Sequence, residues 1–149
     1  MKRILVADDG SDAALSAVEI AAELAVNTGA ELIALAVVDP NRMGRADISR
    51  LAQSEKLRDA EALEILVTAS AGYLERCAEA AKRAGVIRYR EARRAGDDTA
   101  LEITDFALAN DVDLIVVGSR GRGRLPGLLL GSVSQKLATH ASCSVLIAR

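Results

Sequence analysis

Aromatic residues are scarce in this chain of 149 residues, which contains two tyrosines, one phenylalanine and no tryptophan. Sequence-specific RNA-binding proteins stack bases on aromatic side chains, so the composition argues against an RNA-binding surface. The formal net charge is only −2, which provides no overall field to attract nucleic acid or an anionic membrane. We therefore expect neither nucleic acid nor a membrane as a partner.

Cysteine and histidine are also rare. The two cysteines, Cys77 and Cys143, are too few and too far apart for a disulfide framework or a zinc site. We interpret both as small buried apolar groups in a reducing compartment. The single histidine, His140, lacks the partner base and nucleophile of a catalytic triad. The sequence thus predicts no catalytic residue and no metal ligand set.

Long apolar runs are missing, and none reaches the length that spans a bilayer. The segment MKRILVADD enters a strand pattern at once, without the apolar region of a secretory signal. We therefore expect a cytoplasmic protein. Half of the residues are hydrophobic, which suffices for one domain, residues 1–149, with an aliphatic core of the kind found where helices pack on a parallel sheet.

Short apolar runs alternate with helical patterns along the chain. The runs lack the polar alternation of half-exposed strands, which indicates strands covered on both faces. The third run is rich in charge and suits an edge strand. In the third helix we predict an apolar face of Leu101, Ile103, Ala107 and Leu108. The predicted strands are Arg3–Ala7, Glu31–Asp39, Val86–Arg93, Asp113–Val117 and Ser144–Ala148, and the helices follow Ser11, begin at Asp59, follow Gly96 and follow Gly131.

This order predicts an α/β fold: a doubly wound five-stranded parallel sheet with helices on both faces. Strand orders 2-1-3-4-5 and 3-2-1-4-5 are both common in such sheets, and we favour 3-2-1-4-5. Ligands bind beyond the carboxyl ends of the strands where the winding reverses, which is then between strands one and four. Asp8, Asp9 and Gly10 would lie there beside Gly118–Gly121, with the end of strand two nearby.

The stretch Asp113–Ser134 (DLIVVGSRGRGRLPGLLLGSVS) joins a strand to a helix through a loop rich in glycine and arginine. Unpaired N–H groups and the positive dipole end at a helix start favour an anion, and glycines let backbone approach phosphate oxygens. We call Gly118–Ser134 the phosphate cradle; a merely flexible connection is the alternative. The spacing fits neither a P-loop nor the dinucleotide fingerprint of a first β–α turn. Arg120 is the best candidate for a phosphate contact, whereas Arg122 and Arg124 suit a solvated loop.

The same residues resemble the universal stress protein family, in its ATP-binding subgroup. The family motif is glycine, two residues, glycine, nine residues, glycine, and serine or threonine, and it appears here as Gly118, Gly121, Gly131 and Ser132. The flanking segments ILVA, VVD and LGSVSQKLATHASCSVLIAR also fit, so the resemblance spans nearly the whole chain. It implies a fold like that of the adenine nucleotide alpha hydrolases, with ATP bound and Mg²⁺ held through its phosphates.

The resemblance also implies which residues contact the nucleotide. Val37, at the end of strand two, would recognise adenine through its backbone. Asp9, with its neighbours Ala7 and Asp8, would lie against the ribose and the sugar-phosphate side. One of these aspartates could instead cap the first helix, with Ser11 as a competitor. The remaining predicted contacts are Val117, Gly118, Arg120, Gly121, Gly131, Ser132, Val133 and Ser134.

Three functions remain open from the sequence. The first is a nucleotide-responsive regulatory module that forms a homodimer through Ser144–Ala148, as the resemblance implies. The second is a slow ATPase, although no residue is clearly placed to orient an attacking water. The third is an interaction scaffold whose pocket is empty or holds AMP. We expect Asn41–Lys56 and Arg122–Leu130 to be the movable parts, and the basic third strand has no explanation from a motif.

Overall fold

The structure, a computed structural model, describes residues 1–38, 59–121 and 130–149, without the side chains of residues 59–67 and 69. Strands and helices alternate throughout these residues. Asp39, the predicted mobile segment Asn41–Lys56 and the loop residues 122–129 lie outside them. The elements are β1 (Arg3–Ala7), α1 (Asp12–Thr28), β2 (Glu31–Val38), α2 (Asp59–Ala84), β3 (Tyr89–Ala95), α3 (Thr99–Ala109), β4 (Leu114–Gly118), α4 (Ser132–His140) and β5 (Ser144–Ala148).

The strands form one parallel sheet in the order β3-β2-β1-β4-β5, which confirms the predicted fold. Ala7, the last residue of β1, pairs with Leu35 of β2 and Val117 of β4. β2 continues past that level to Val38, still paired with β3. Because β1 ends before β2, the edge of the sheet has a notch beyond Ala7, with the last residues of β2 along one side of it.

Helices cover the sheet on both faces, and each face has its own core. α1 and α2 pack on one face, around Ile4, Val6, Leu32 and Val116, with Leu74 and Cys77 fully enclosed. α3 and α4 pack on the other face, around Leu5, Ile33 and Ile115, with Phe106 and Leu137 buried. Because the buried side of α1 is almost entirely alanine, this helix lies close to the sheet. Its buried residues are Ala14, Ala17, Val18, Ala21, Ala22 and Ala25.

Ser11 is the N-cap of α1, because its hydroxyl accepts a hydrogen bond from the Ala14 N–H at 3.2 Å. The helix ends at Gly29, whose positive φ of 65° lets its N–H bond back to the last turn. Of the three candidate caps in the sequence, Ser11 fills the role. None of the helices within the described residues is long and apolar enough to cross a bilayer.

The predicted bounds of β3 are wrong by a few residues, since the strand runs from Tyr89 to Ala95 and not from Val86 to Arg93. α2 ends in a left-handed glycine, Gly85, and the Val86 N–H returns to the Ala81 carbonyl at 2.9 Å. Residues 86–88 therefore connect the helix to the strand, and the first bond to β2 runs from the Leu32 N–H to the Arg88 carbonyl at 2.9 Å. The predicted edge position is confirmed.

The arginines of β3 are held by partners on both faces of the sheet. On the α2 side, Arg93 Nε donates to Ser70 Oγ at 3.2 Å. On the α3 side, Arg90 pairs with Glu31 at 3.3 Å, and the Arg90 and Arg94 guanidinium carbons lie 5.9 and 5.3 Å from the Phe106 ring centre. These contacts explain much of the basic composition that no motif explained.

The predicted apolar face of α3 is half wrong. Ile103 and Ala107 are buried as expected, but Leu101 and Leu108 are 55% and 66% exposed. The helix presents two apolar stripes, and the sheet takes the one that contains Phe106 and Ala100. The aromatic ring buries the larger apolar area, which decides the orientation.

Candidate functional site

Three chain segments meet at the carboxyl ends of β1 and β4. The first is the turn Asp8–Ser11, which we call the β1–α1 turn; the second is Gly118–Gly121; the third is the start of α4 at Gly131. The Ser11 hydroxyl donates to the Arg120 carbonyl at 3.2 Å, which ties the first segment to the second. The Gly131 N–H donates to the Ser119 carbonyl at 2.7 Å, which ties the second to the third.

The first two glycines of the motif lie against neighbouring parts of the protein, Gly118 against backbone and Gly121 against a side chain. A Cβ on Gly118 would lie 2.6 Å from the carbonyl carbon of Ala13 and 2.8 Å from Ala14 N, inside the backbone of α1. A Cβ on Gly121 would lie 2.6 Å from Asp9 Oδ2. Gly118 thus lets α1 pack against the end of β4, and Gly121 leaves room for the Asp9 carboxylate.

Gly131 differs from the other two. Its φ of −74° and ψ of 162° are open to any residue. An added Cβ would stand 3.4 Å from Arg120 Cα and 3.5 Å from Gly121 N, which are ordinary contacts. The space that this Cβ would fill lies directly beside the Gly121 amide, so the second and third glycines of the motif face each other across it.

The start of α4 is suited to an anion. Gly131 occupies the N-cap position, no side chain of the described residues caps the helix, and the first turn contains no acidic residue. The Ser132, Val133 and Ser134 N–H groups therefore lie at an uncapped helix N-terminus, where the macrodipole is positive. Ser132 is exposed and Val133 is partly buried.

The Ser134 hydroxyl is used inside the protein. It is buried and donates to the Ser119 carbonyl at 3.1 Å or the Gly131 carbonyl at 3.0 Å. Ser134 thereby fixes the first turn of α4 on the end of β4. Only its backbone N–H remains to serve the predicted contact.

Asp8 and Asp9 point in opposite directions. The Asp8 side chain is 1% exposed and pairs with Arg76 Nη2 of α2, at 2.6 Å to Oδ1 and 2.8 Å to Oδ2. Asp9 is partly exposed; its Oδ1 accepts the Ser11 N–H at 3.0 Å and its Oδ2 lies toward Gly121. Of the two aspartates, only Asp9 presents its carboxylate to the crevice.

Val37 stands where the sequence placed it, on the wall of the notch. The Leu35 carbonyl accepts the Asp8 N–H on the β1 side, and the Val38 carbonyl accepts the Gly96 N–H on the β3 side. Because polar groups alternate along a strand, the Val37 N–H and C=O point to the β1 side, beyond the end of β1. Ala7 ends β1 and pairs with Val117, the residue before the end of β4, and these two strands form the floor.

Three other residues considered in the sequence, Arg120, Cys77 and His140, lie in different environments. Arg120 is exposed at the rim of the crevice, with its carbonyl bonded to Ser11. Cys77 is fully buried, as predicted, and burial together with nearby Asp8 raises the pKa of its thiol to about 12. His140 is exposed in the last turn of α4. Within the described ranges, no cluster of three or more histidine, cysteine or acidic side chains could hold a metal ion.

Sequence reasoning missed Arg76 and Tyr73, which both contact the β1–α1 turn from α2. Arg76 pairs with Asp8, and the Tyr73 ring lies where a Cβ on Gly10 would fall, 2.7 Å from Cε1. The available signal was an arginine beside the apolar stripe of α2, immediately before buried Cys77. A charge in that position requires a buried partner of opposite sign.

A doubly wound sheet with an uncapped helix N-terminus at its switch point defines an α/β protein of the type that binds phosphate-bearing ligands beyond its strands. Comparison with known proteins makes the assignment specific. The chain belongs to the universal stress protein family, whose profile matches residues 1–149.

Individual relatives agree with this assignment. Universal stress protein YxiE of Bacillus subtilis is 34% identical over 147 residues, which is 99% of this chain and 98% of the relative. Universal stress protein MJ0531 of Methanocaldococcus jannaschii is 33% identical over 150 residues, 99% of this chain and 82% of the relative. The crystal structure of a universal stress protein in complex with cAMP superposes with a TM-score of 0.75 at 28% identity, covering 99% and 97% of the two chains.

Proposed function

We propose that this universal stress protein binds an adenine nucleotide at the switch point, with ATP as the ligand and Mg²⁺ held through its phosphates. Residues 1–149 act as one domain, and occupancy of the crevice regulates its conformation or assembly. The observation that supports the proposal most directly is the uncapped start of α4 facing the space beside Gly131 and Gly121. The structural relative in complex with cAMP supports the adenine nucleotide class.

The phosphates would bind in the phosphate cradle. The N–H groups of Gly121, Ser132, Val133 and Ser134 supply donors, and the exposed Ser132 hydroxyl supplies another. Arg120, at the rim, adds a cation. Gly131 contributes by what it lacks, because a side chain there would occupy the space beside the Gly121 amide.

The nucleoside would lie over the notch at the end of β1. The Val37 N–H and C=O form the complementary donor and acceptor pair that an adenine edge requires, and Ala7, Val117 and Gly118 form an apolar floor. Asp8 acts from below, by shaping the turn. Asp9 faces the crevice and accepts from a ribose hydroxyl or from water on the bound Mg²⁺, since a bare phosphate would be repelled.

Substitution of Gly131 by alanine tests this arrangement, because the contacts of the added methyl group are compatible with the fold. We expect Gly131→Ala to weaken Mg-ATP binding by at least about tenfold, the loss expected when one charge-assisted hydrogen bond is displaced. Isothermal titration calorimetry provides the affinity, and thermal unfolding without ligand verifies the fold.

Gly72→Ala is the matched control, because Gly72 lies on an exposed part of α2, and outside the helix's own backbone no heavy atom of the described residues is within 4 Å of an added Cβ. Unchanged affinity of Gly131→Ala for Mg-ATP, in a protein as stable as the wild type, would contradict the phosphate cradle. Mass spectrometry of nucleotide released from the purified protein distinguishes ATP from AMP and cAMP, and ADP in that sample would favour slow hydrolysis.

We also propose a homodimer through β5. This strand is an edge of the sheet. The Ala148 carbonyl accepts the Ser119 N–H of the β4 side, so the alternate residues Val145 and Ile147 direct their N–H and C=O groups to the free edge. A second copy would satisfy these groups. Both cysteines are free thiols, which fits the cytoplasm as a reducing location.

A further inference from the structure

One face of α2 packs against the β1–α1 turn. Tyr73, Arg76 and Cys77 are spaced i, i+3 and i+4, so they lie side by side on the helix. The Tyr73 ring packs over Gly10, Arg76 Nη2 contacts both oxygens of Asp8, and Cys77 Sγ is 3.8 Å from Asp8 Oδ2. We call these three residues the α2 clamp.

The contact between Arg76 and Asp8 also determines the shape of the turn. Asp8 Oδ1 accepts the Arg76 guanidinium at 2.6 Å and the Gly10 N–H at 2.8 Å. A carboxylate that is 1% exposed has little contact with water, and these two donors take the place of water as its hydrogen-bond partners. Gly10 has a φ of 85°, so the chain reverses where this oxygen holds its amide. The guanidinium therefore stabilises the anion around which the turn is built.

That turn presents the carboxylate that faces the crevice. Asp9 lies between Asp8 and Gly10, which are joined by the hydrogen bond from the Gly10 N–H to Asp8 Oδ1. Its own Oδ1 accepts the Ser11 N–H within the same turn. The start of α4 is attached elsewhere, to the Ser119 carbonyl through Gly131 and Ser134. The sugar side and the phosphate side of the crevice are thus held by different direct contacts, and the Ser11–Arg120 hydrogen bond joins them.

We propose that Arg76 is a positioning residue for ribose recognition: through Asp8 it fixes the orientation of Asp9, and phosphate binding at α4 does not depend on it. The inference rests on the proposed function and adds to it that the two halves of the nucleotide site are set by different helices. Loss of the α2 clamp would then change which sugar is bound and leave the affinity for phosphate alone unaltered.

The test compares four probes on the full chain: Mg-ATP, its 3′-deoxy analogue, its 2′-deoxy analogue, and inorganic triphosphate with Mg²⁺. Calorimetry measures each dissociation constant for the wild type, Arg76→Gln and Arg76→Lys. Arg83→Gln is the matched control on the same helix, because Arg83 is exposed and pairs only with Glu79, at 4.0 Å, in the described residues.

We expect Arg76→Gln to weaken ATP binding by about tenfold, the value of one hydrogen bond to a charged group. The deoxy analogue that lacks the hydroxyl bound by Asp9 should lose much less, and triphosphate should change by less than about twofold. Arg76→Lys should recover part of the preference for ATP, because its ammonium retains the charge with a single point of contact. The double variant Asp8→Asn with Arg76→Gln should distinguish ATP from its deoxy analogues no less well than Arg76→Gln alone.

Other outcomes overturn the inference. Equal losses for ATP and triphosphate would mean that Arg76 supports the whole domain, and unchanged discrimination in a folded Arg76→Gln protein would mean that Asp9 is set without it. If Arg76→Gln does not fold, the comparison of Arg76→Lys with the wild type decides in the same way. A wild-type protein that binds ATP more tightly than triphosphate, and binds both deoxy analogues as tightly as ATP, overturns this inference alone. One that binds triphosphate as tightly as ATP, or binds neither, overturns the proposed function as well.

Discussion

Substitution of Gly118 by alanine should damage the fold before it affects any ligand. The added Cβ would stand 2.6 to 2.8 Å from three backbone atoms of Ala13 and Ala14, and no flexible side chain is available to yield. The start of α1 must move by about 0.8 Å to restore a 3.4 Å contact, and the alanine-lined side of this helix already lies against the sheet.

Overpacking of this kind costs about 1–3 kcal/mol. For a domain of this size, a loss of about 2 kcal/mol lowers the melting temperature by about 4–8 °C. Urea denaturation followed by circular dichroism measures the free energy of unfolding, and the m-value should stay constant if the denatured state is unchanged. Gly72→Ala, in the interior of α2, should instead stabilise the protein by up to about 1 kcal/mol.

The reasoning would be refuted if Gly118→Ala were as stable as the wild type. If that variant also lost nucleotide binding, Gly118 would be a ligand-approach glycine like Gly131, and the contact with Ala13 would not be the reason for its presence. Measuring Gly118→Ala and Gly131→Ala together therefore separates the glycines that serve the fold from the glycine that serves the ligand.

Two further predictions concern the surface. Asp98 caps α3 and accepts from Lys136 Nζ at 2.7 Å, and this hydrogen bond, followed by those from the α3 amides, holds its pKa below the usual 3.8. A depressed carboxylate pKa stabilises the fold above the unfolded value and ceases to do so as pH falls through the folded one. Asp98→Asn should therefore be less stable than wild type at neutral pH in urea denaturation, and the difference should shrink as pH falls below 3.8. Val145→Pro removes an N–H that faces the free edge of β5 and should convert a dimer to a monomer by light scattering without unfolding it; a variant that remains dimeric would place the interface elsewhere.

Asp8 and Asp9 illustrate which parts of the site can be predicted from the sequence. The spacing of the glycines and the position of the acidic turn locate the crevice, because both follow from parallel strands that end at the same edge. The sequence alone does not say which aspartate enters it. Asp8 and Asp9 have the same side chain, and what separates them is Arg76, 68 residues away along the chain. A contact of that separation depends on the packing of α2.

The predictions of the apolar face of α3 and of the first residue of β3 were wrong for similar reasons. Leu101 and Leu108 lie beside the buried residues of α3 at helical spacing, and the sequence prediction included them in place of Phe106. The sheet takes the side that contains Phe106. β3 begins late because Gly85 and Val86 complete the C-terminal cap of α2. In both cases the local pattern was present, and its use was decided by a partner elsewhere in the chain.

Ser119 forms a junction between the end of β4, the end of β5 and the start of α4. Its N–H bonds to Ala148 at the end of β5, and its carbonyl accepts the Gly131 N–H and lies within hydrogen-bonding distance of the Ser134 hydroxyl. The last helix and the last strand are thus both hydrogen-bonded to the backbone of one residue. The start of α4 belongs to the proposed phosphate site and β5 is the proposed dimer edge, so a ligand that displaced the start of α4 would also displace the end of β5.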